Sequence, residues 1–361
     1  MCDRHRAASA RDPLLCILPP YILDAIARNG TARQRAAALE SLSTDQLIRT
    51  QRAAAMLLPL LAAIPPAATP KPAAPRPKRT IYDAGGAEAL PGKVVRKERG
   101  RATKDAAADE AYGGLGATFT FYLKACGRNS IDGAGMPLDA TVHFGERYDN
   151  AFWNGSQMVF GDGDGELFNR FTLSLDVIGH ELTHGVTARE ANLVYRDQSG
   201  ALNESLSDVF GSLIKQYALK QSADKADWLI GAGLFTAKVH GLGIRSMKAP
   251  GTAYDDRVLG KDPQPAHMSS YVATSEDNGG VHLNSGIPNR AFYLAATALG
   301  GKAWEVAGRI WYEAACDPKL KPTANFAEFA NLAAATGERL YGKGSAQAAA
   351  VRDAWKMVGV L

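Results

Sequence analysis

The amino-acid sequence predicts an α+β protein, a strand-rich half followed by an all-α half, and three observations carry that reading. Residues 82–171 are strand-like and rich in turn formers, with an alternating apolar run that includes Val142 and Phe144. From Asp176 onward the apolar spacing becomes helical: Leu206, Val209, Phe210, Leu213 and Ile214 line one face, and Ala-rich runs near 287–299, 303–315, 325–338 and 345–358 predict four further helices. Third, Pro65, Pro66, Pro70, Pro72, Pro75 and Pro77 crowd one short stretch. So many prolines cannot continue a helix and predict an extended, solvated spacer open to proteases. The expected divisions are a helical, Ala/Leu/Arg-rich segment at 1–62, a linker at 63–79, an α+β unit at 80–188 and a helical unit at 189–361. With 361 residues and 46% hydrophobic content, the chain can bury a large core in two or more units.

Chemistry enters at His180-Glu181-Leu182-Thr183-His184, the pattern H-E-x-x-H inside a helical segment. Residues four apart share one helix face, so both imidazoles can ligate one Zn2+. Glu181, about 100° round the helix, then reaches a water at the metal's open position. The pattern alone is weak, because a helix can carry two histidines for no reason. Its context strengthens it: Asn203-Glu204-Ser205-Leu206-Ser207-Asp208 lies on the next helix. Glu204 would complete a His2Glu ligand set, and Asp208, one turn further on, could accept the spare ring N–H of His180 and fix its tautomer.

With these motifs the chain resembles the thermolysin-like zinc metalloproteases, in register from about Tyr82 to the C-terminus. The resemblance rests also on Asn150-Ala151-Phe152-Trp153-Asn154-Gly155, Gly161-Asp162-Gly163-Asp164-Gly165, Tyr195, Arg245-Ser246-Met247, and the run from Asp277 to Gly286 that contains His282. It implies that the zinc helix forms the floor of a cleft between the two halves, and that His282 and Tyr195 donate to the tetrahedral intermediate while Asp277 holds the His282 ring. It further implies that Asn150 and Ala151, on an exposed edge strand, pair with an extended peptide, and that Arg245 binds the carbonyl beside the cut bond. Phe168, Phe171, Val177, Ile230 and Ile244 match the pocket for the residue after that bond. All are bulky and apolar, so cleavage is expected before Leu, Phe, Ile or Val. A catalytically silent, zinc-stabilised binding module is the alternative, but it would lack Glu181 or His282, and both are present.

The chain departs from the better-known secreted members where they bind calcium. Asp176 and Asp227 remain, whereas the matching glutamates are Lys215, Leu229 and Ala232, and a second loop site has lost its aspartate to Leu242. Calcium needs 6 to 8 oxygen ligands, so an ion pair of Lys215 with Asp176 or Asp227 is expected in its place, and no calcium dependence. A Lys215 that points to solvent is the other outcome.

Cys16-Ile17-Leu18-Pro19-Pro20-Tyr21-Ile22-Leu23 is similar to the start of the short propeptides in the protealysin-like branch, which also carries the lysine. The first segment therefore reads as a propeptide, an intramolecular inhibitor with Pro19-Pro20-Tyr21 along the cleft. Cys16 is expected either to be a small buried hydrophobe or to cap the zinc as a thiolate. An independent interaction domain fits the linker equally well. The N-terminal residues lack a signal-peptide layout, so synthesis without a Sec-type signal is expected, with the protein cytoplasmic or exported by a non-classical route. No segment has transmembrane length. The net charge of +4 is mild and predicts no nucleic-acid partner. The expected partners are peptide or protein substrates and the chain's own propeptide.

Overall fold

The computed structural model describes residues 15–57 and 74–361. Its centre is a six-stranded sheet in the order β1-β5-β6-β4-β2-β3. These strands are β1 (Leu15–Cys16), β2 (Arg79–Asp83), β3 (Lys93–Lys97), β4 (Leu138–Val142), β5 (Ala151–Trp153) and β6 (Gln157–Phe160). Strand β4 runs parallel to both β2 and β6, and the remaining pairs are antiparallel. Two helices precede β2: α1 (Pro20–Asn29) and α2 (Ala32–Leu57). Proline at the first position of α1 suits a helix start, since its missing N–H has no partner there in any case.

One long helix, α3 (Ala106–Cys126), interrupts the strand-rich half, where strand-like sequence was expected throughout. Asp105 caps its start by accepting from the Ala107 and Ala108 N–H groups, and Gly127 ends it at a left-handed φ of 67°. Helices α4 (Leu175–Arg189) and α5 (Asp197–Leu219) follow and form the centre of the molecule. Two-residue strands come next, β7 (Leu229–Ile230) with β8 (Arg245–Ser246) and β9 (Asp255–Asp256) with β10 (Gly260–Lys261). The chain closes with α6 (Asp277–Asn284), α7 (Gly286–Leu299), α8 (Ala307–Ala315), α9 (Phe326–Tyr341) and α10 (Ala346–Met357). The four Ala-rich runs are thus α7 to α10, although α8 begins later than the sequence suggests because residues 303–306 form turns.

One continuous apolar cluster runs from α1 through α3, α4 and α5 to α10, so the two halves share a core. Large aromatics fill its C-terminal end: Trp311 stacks on Trp355 with ring centroids 6.2 Å apart, and Phe292 meets the edge of Trp311 at 5.0 Å. Helices α4 and α5 approach closely because glycines face each other. A Cβ on Gly211 would lie 2.4 Å from the Asp176 carbonyl oxygen, and one on Gly179 would lie 3.1 Å from the Gly211 Cα.

Strand β5 is not an open edge here. Leu15 and Cys16 pair with Trp153 and Phe152, so the N-terminal segment covers the side of β5 facing away from β6. Helix α2 packs over the same region. The Asp149 N–H donates to Ser41 Oγ at 2.9 Å, Asn150 Nδ2 donates to Asp45 Oδ2 at 3.0 Å, and the Tyr148 hydroxyl donates to the other Asp45 oxygen. The proline-rich stretch, with its expected cleavage point, lies mostly outside the described residues.

Candidate metal centre and cleft

Three side chains on α4 and α5 converge on one point. His180 Nε2, His184 Nε2 and a Glu204 carboxylate oxygen lie within 4.8 Å of one another, all buried. The two Nε2 atoms are 3.0 Å apart, and Glu204 Oε2 and Oε1 lie 3.4 Å from His180 and His184 respectively. The other ring nitrogens are engaged elsewhere. His180 Nδ1 is 2.8 Å from Asp208 Oδ1, while His184 Nδ1 sits 2.8 Å from Asn203 Oδ1 and 2.9 Å from Ser207 Oγ. With each Nδ1–H donating outward, the two Nε2 lone pairs point at each other and at a carboxylate. Only a cation satisfies that arrangement, and two imidazoles with one carboxylate is a donor set that fits Zn2+ with one coordination position left open.

The electrostatics of the pocket agree. Burial alone would lower the His180 pKa, but the hydrogen bonds and charges of Asp208 and Glu204 outweigh it and push the ring up to about 9. His184 is driven down to about 3, chiefly by burial. Burial would raise Glu204, yet the surrounding histidines hold it well below the usual carboxylate range. Asp208 is likewise held down to about 2 against its burial, first by Arg245 and then by His180. A positive charge between the histidines is therefore already called for, and a metal ion can take the place of the proton.

Glu181 faces the same space. Its Oε2 accepts from the Trp153 N–H at 3.0 Å, its buried Oε1 has no hydrogen-bond partner among the described residues, and burial holds its pKa well above the ordinary value. Opposite it, His282 Nδ1 is 2.7 Å from Asp277 Oδ1, and the His282 main-chain N–H donates to Asp277 Oδ2 at 2.9 Å. This clamp needs an unusual backbone: Asp277, Asn278, Gly279 and Gly280 all have positive φ, at 49°, 52°, 87° and 74°. At Gly279 any Cβ would lie 2.0 Å from Asp197 Oδ1, so only glycine fits. Burial opposes a charge on His282, but the Asp277 and Glu204 carboxylates outweigh it and raise its pKa. The Tyr195 hydroxyl donates to Glu204 Oε1 and lies 3.3 Å from His282 Nε2.

Arg245 is fully buried against Asp208, with Nε to Oδ2 and Nη2 to Oδ1 both at 2.8 Å. Asn289 Nδ2 donates to Asp208 as well, at 2.8 Å. Asp208 thus ties the zinc helix, through His180, to the arginine of the cleft. The sequence reading missed Asn203 and Ser207 as partners of His184, and Asn289, although Asn203 and Ser207 stand on the same helical run as Glu204.

The cleft is filled by the chain itself. The Ile17 N–H donates to the Ala151 carbonyl at 3.2 Å, the Leu18 N–H to Asn150 Oδ1 at 3.0 Å, and Arg245 Nη1 to the Ile17 carbonyl at 3.0 Å. His282 Nε2 lies 3.2 Å from the Cys16 carbonyl oxygen. Cys16, Ile17 and Leu18 meet the groups that line the cleft, and Pro19, which is buried, and Pro20 carry the chain into α1. The Tyr21 hydroxyl is buried within the field of Arg245 and Asp277. Cys16 packs among Phe144, Tyr148, Phe152 and Val159, while its carbonyl faces His282. Phe168, Phe171, Val177, Ile230 and Ile244 are all fully buried in one cluster with Ile17. Lys215 reaches both candidate aspartates, with Nζ 2.6 Å from Asp176 Oδ2 and 2.9 Å from Asp227 Oδ1, and it also donates to the Leu229 carbonyl at 2.8 Å.

Comparison with known proteins agrees with this geometry. Residues 74–188 match the thermolysin metallopeptidase catalytic domain, and residues 191–360 match the thermolysin metallopeptidase alpha-helical domain. The chain is 53% identical over 348 residues to the extracellular metalloprotease of Pectobacterium carotovorum subsp. carotovorum, covering 96% of this chain and 97% of that one. It is 55% identical over 197 residues to the extracellular minor metalloprotease of Serratia marcescens, 55% of this chain and 56% of that one. The solved precursor of protealysin, a metalloproteinase from Serratia proteamaculans, superposes with a TM-score of 0.86 at 53% identity, covering 96% of this chain and all of that one. These relatives correct one expectation. A cytoplasmic protein, or one exported by a non-classical route, does not accord with relatives named as extracellular, and the layout of the first residues was too weak a signal to carry that reading. No described helix is long and apolar enough to cross a membrane. The chain belongs to the thermolysin family and is a zinc metalloendopeptidase in its precursor form.

Proposed function

We propose that the protein hydrolyses peptide bonds before bulky apolar residues, with His180, His184 and Glu204 holding the zinc and Glu181 acting as general base toward the attacking water. The observation that carries this is the buried Glu181 carboxylate. One oxygen is fixed by the Trp153 N–H and the other is unpartnered, beside the two histidines and Glu204. Bound zinc supplies Lewis-acid polarisation and a more acidic water. Glu181 takes the water's proton and later passes it to the leaving amine, a transfer that its raised pKa favours. His282, aligned by Asp277, and Tyr195 donate to the oxygen that becomes negative as the carbonyl is attacked. Asn150, Ala151 and Arg245 align the substrate main chain, and the same groups now hold Leu18 and Ile17.

The preference for Leu, Phe, Ile or Val after the cut bond is supported by Phe168, Phe171, Val177, Ile230 and Ile244, all of them apolar and fully buried. A peptide-library digest tests it. Enrichment of large aliphatic or aromatic residues after the cut bond is expected, and a profile dominated by charged residues there would refute it. We further propose that residues 1–62 act as an inhibitory propeptide removed by cleavage in the 63–79 linker, supported by the strand laid on β5. The Lys215 ammonium, held between Asp176 and Asp227, supports a fold that needs no calcium at this position.

A further inference from the structure

We propose that the Cys16–Ile17 peptide bond is itself a processing site, hydrolysed in cis by the cleft it occupies. The proposal rests on the peptidase reading above and names a substrate of that same site. The register is fixed from both sides. Arg245, the group that would hold the carbonyl beside a cut bond, donates to the Ile17 carbonyl at 3.0 Å. One residue earlier, the Cys16 carbonyl oxygen lies 3.2 Å from His282 Nε2, the donor expected to meet the developing negative charge. Ile17 is fully buried, and Cys16 lies on the far side of the bond, opposite Phe152 on β5. Glu181 is anchored by the N–H of Trp153, the β5 residue that pairs with Leu15. No proline adjoins the bond, the nearest on either side being Pro13 and Pro19.

In the reaction one water is consumed. Its oxygen bonds to the Cys16 carbonyl carbon, the C–N bond to Ile17 breaks, and the departing nitrogen receives protons to leave a Cys16 carboxylate and an Ile17 ammonium. No oxidant or further reactant is needed. The cut would divide the three-residue stretch that seals β5. It would place a new charge on each side of a buried position, so the N-terminal segment would lose the continuous strand by which it occupies the cleft. Release would then be one-way.

The test uses the full chain, with zinc, followed by mass spectrometry alongside casein hydrolysis. A peptide ending at Cys16 and a new N-terminus at Ile17 are expected in wild type and absent from Glu181→Gln. The fraction cut per unit time should not change on dilution, and a rate proportional to protein concentration would overturn cleavage in cis. Casein hydrolysis with the 16–17 bond intact would overturn this inference and leave the peptidase reading standing, whereas no casein hydrolysis would remove both. Register is read without turnover in the inert Glu181→Gln chain by hydrogen exchange. The Ile17 and Leu18 amides should be protected, and Ile17→Asp should speed their exchange about tenfold or more at unchanged zinc content. Unprotected amides in the Glu181→Gln parent would contradict the placement.

Discussion

Glu181 is held by the Trp153 N–H of β5 and His282 lies against the Cys16 carbonyl, and their removal should have separable effects. Glu181→Gln keeps an acceptor for the Trp153 N–H but removes the proposed base, so kcat should fall by about 10²- to 10⁴-fold with zinc retained. His282→Ala removes a donor and not a ligand, and should lower kcat by about 10²-fold or more with little change in KM. Steady-state kinetics with metal analysis on both variants checks this; loss of zinc from His282→Ala would instead mark it as part of the metal site. His180, Glu181 and His184 were legible because helical periodicity fixes the two histidines on one face without tertiary information, whereas His282 was named only through the family resemblance. The partners of the ligands were not. Asn203 and Ser207 meet His184, and Asn289 meets Asp208, only after α4, α5 and α7 have packed.

Helices α4 and α5 carry His180, His184 and Glu204, the residues that could hold a metal ion, and their close approach depends on Gly179 and Gly211. Gly211→Val would drive a side chain into the Asp176 carbonyl and should lower both the melting temperature and the zinc affinity, by about 2 kcal/mol or more in stability. Thermal melts and zinc titration decide it, and a variant with wild-type values for both would contradict the packing argument. A similar glycine effect hid α3 from the sequence reading. Gly113, Gly114 and Gly116 look like turn residues, but a Cβ on Gly114 would lie 2.3 Å from Ile178 Cδ1, so at least that glycine serves packing against α4. The start of α3 is also tied to the sheet through His143, whose Nε2 and Nδ1 lie 2.8 Å from Asp105 and 2.7 Å from Asp162. Burial works against a charge here, yet the two aspartates outweigh it and push His143 up to about 9. A raised folded-state pKa gives stabilisation that is complete below the unfolded value and lost as pH rises through about 9. The melting temperature should therefore fall between about pH 7 and pH 10, and His143→Leu should flatten that part of the profile. An unchanged slope in the variant would contradict the assignment.

The molecule as a whole is a precursor whose N-terminal segment completes the sheet and fills the cleft. The α+β order and the four C-terminal helices were readable from spacing, and the cleft residues were named from family motifs. What escaped was the register of Cys16, Ile17 and Leu18 against β5, because main-chain pairing leaves no mark in side-chain pattern. The same limit applies to Lys215, whose charge suggested an ion pair with one aspartate but not its reach to both and to a carbonyl. With Asp176 fully buried, Lys215→Met should cost about 3 kcal/mol, while a calcium chelator at constant zinc should leave the wild-type melting temperature unchanged. A drop of many degrees on chelation would restore a calcium role. The most direct measurement compares casein hydrolysis and zinc content of wild type and Glu181→Gln, with the chain length of each followed over time. The structure predicts one zinc in both proteins, with activity and loss of the N-terminal segment only in wild type. A wild type that holds zinc but cuts no peptide would contradict the peptidase mechanism.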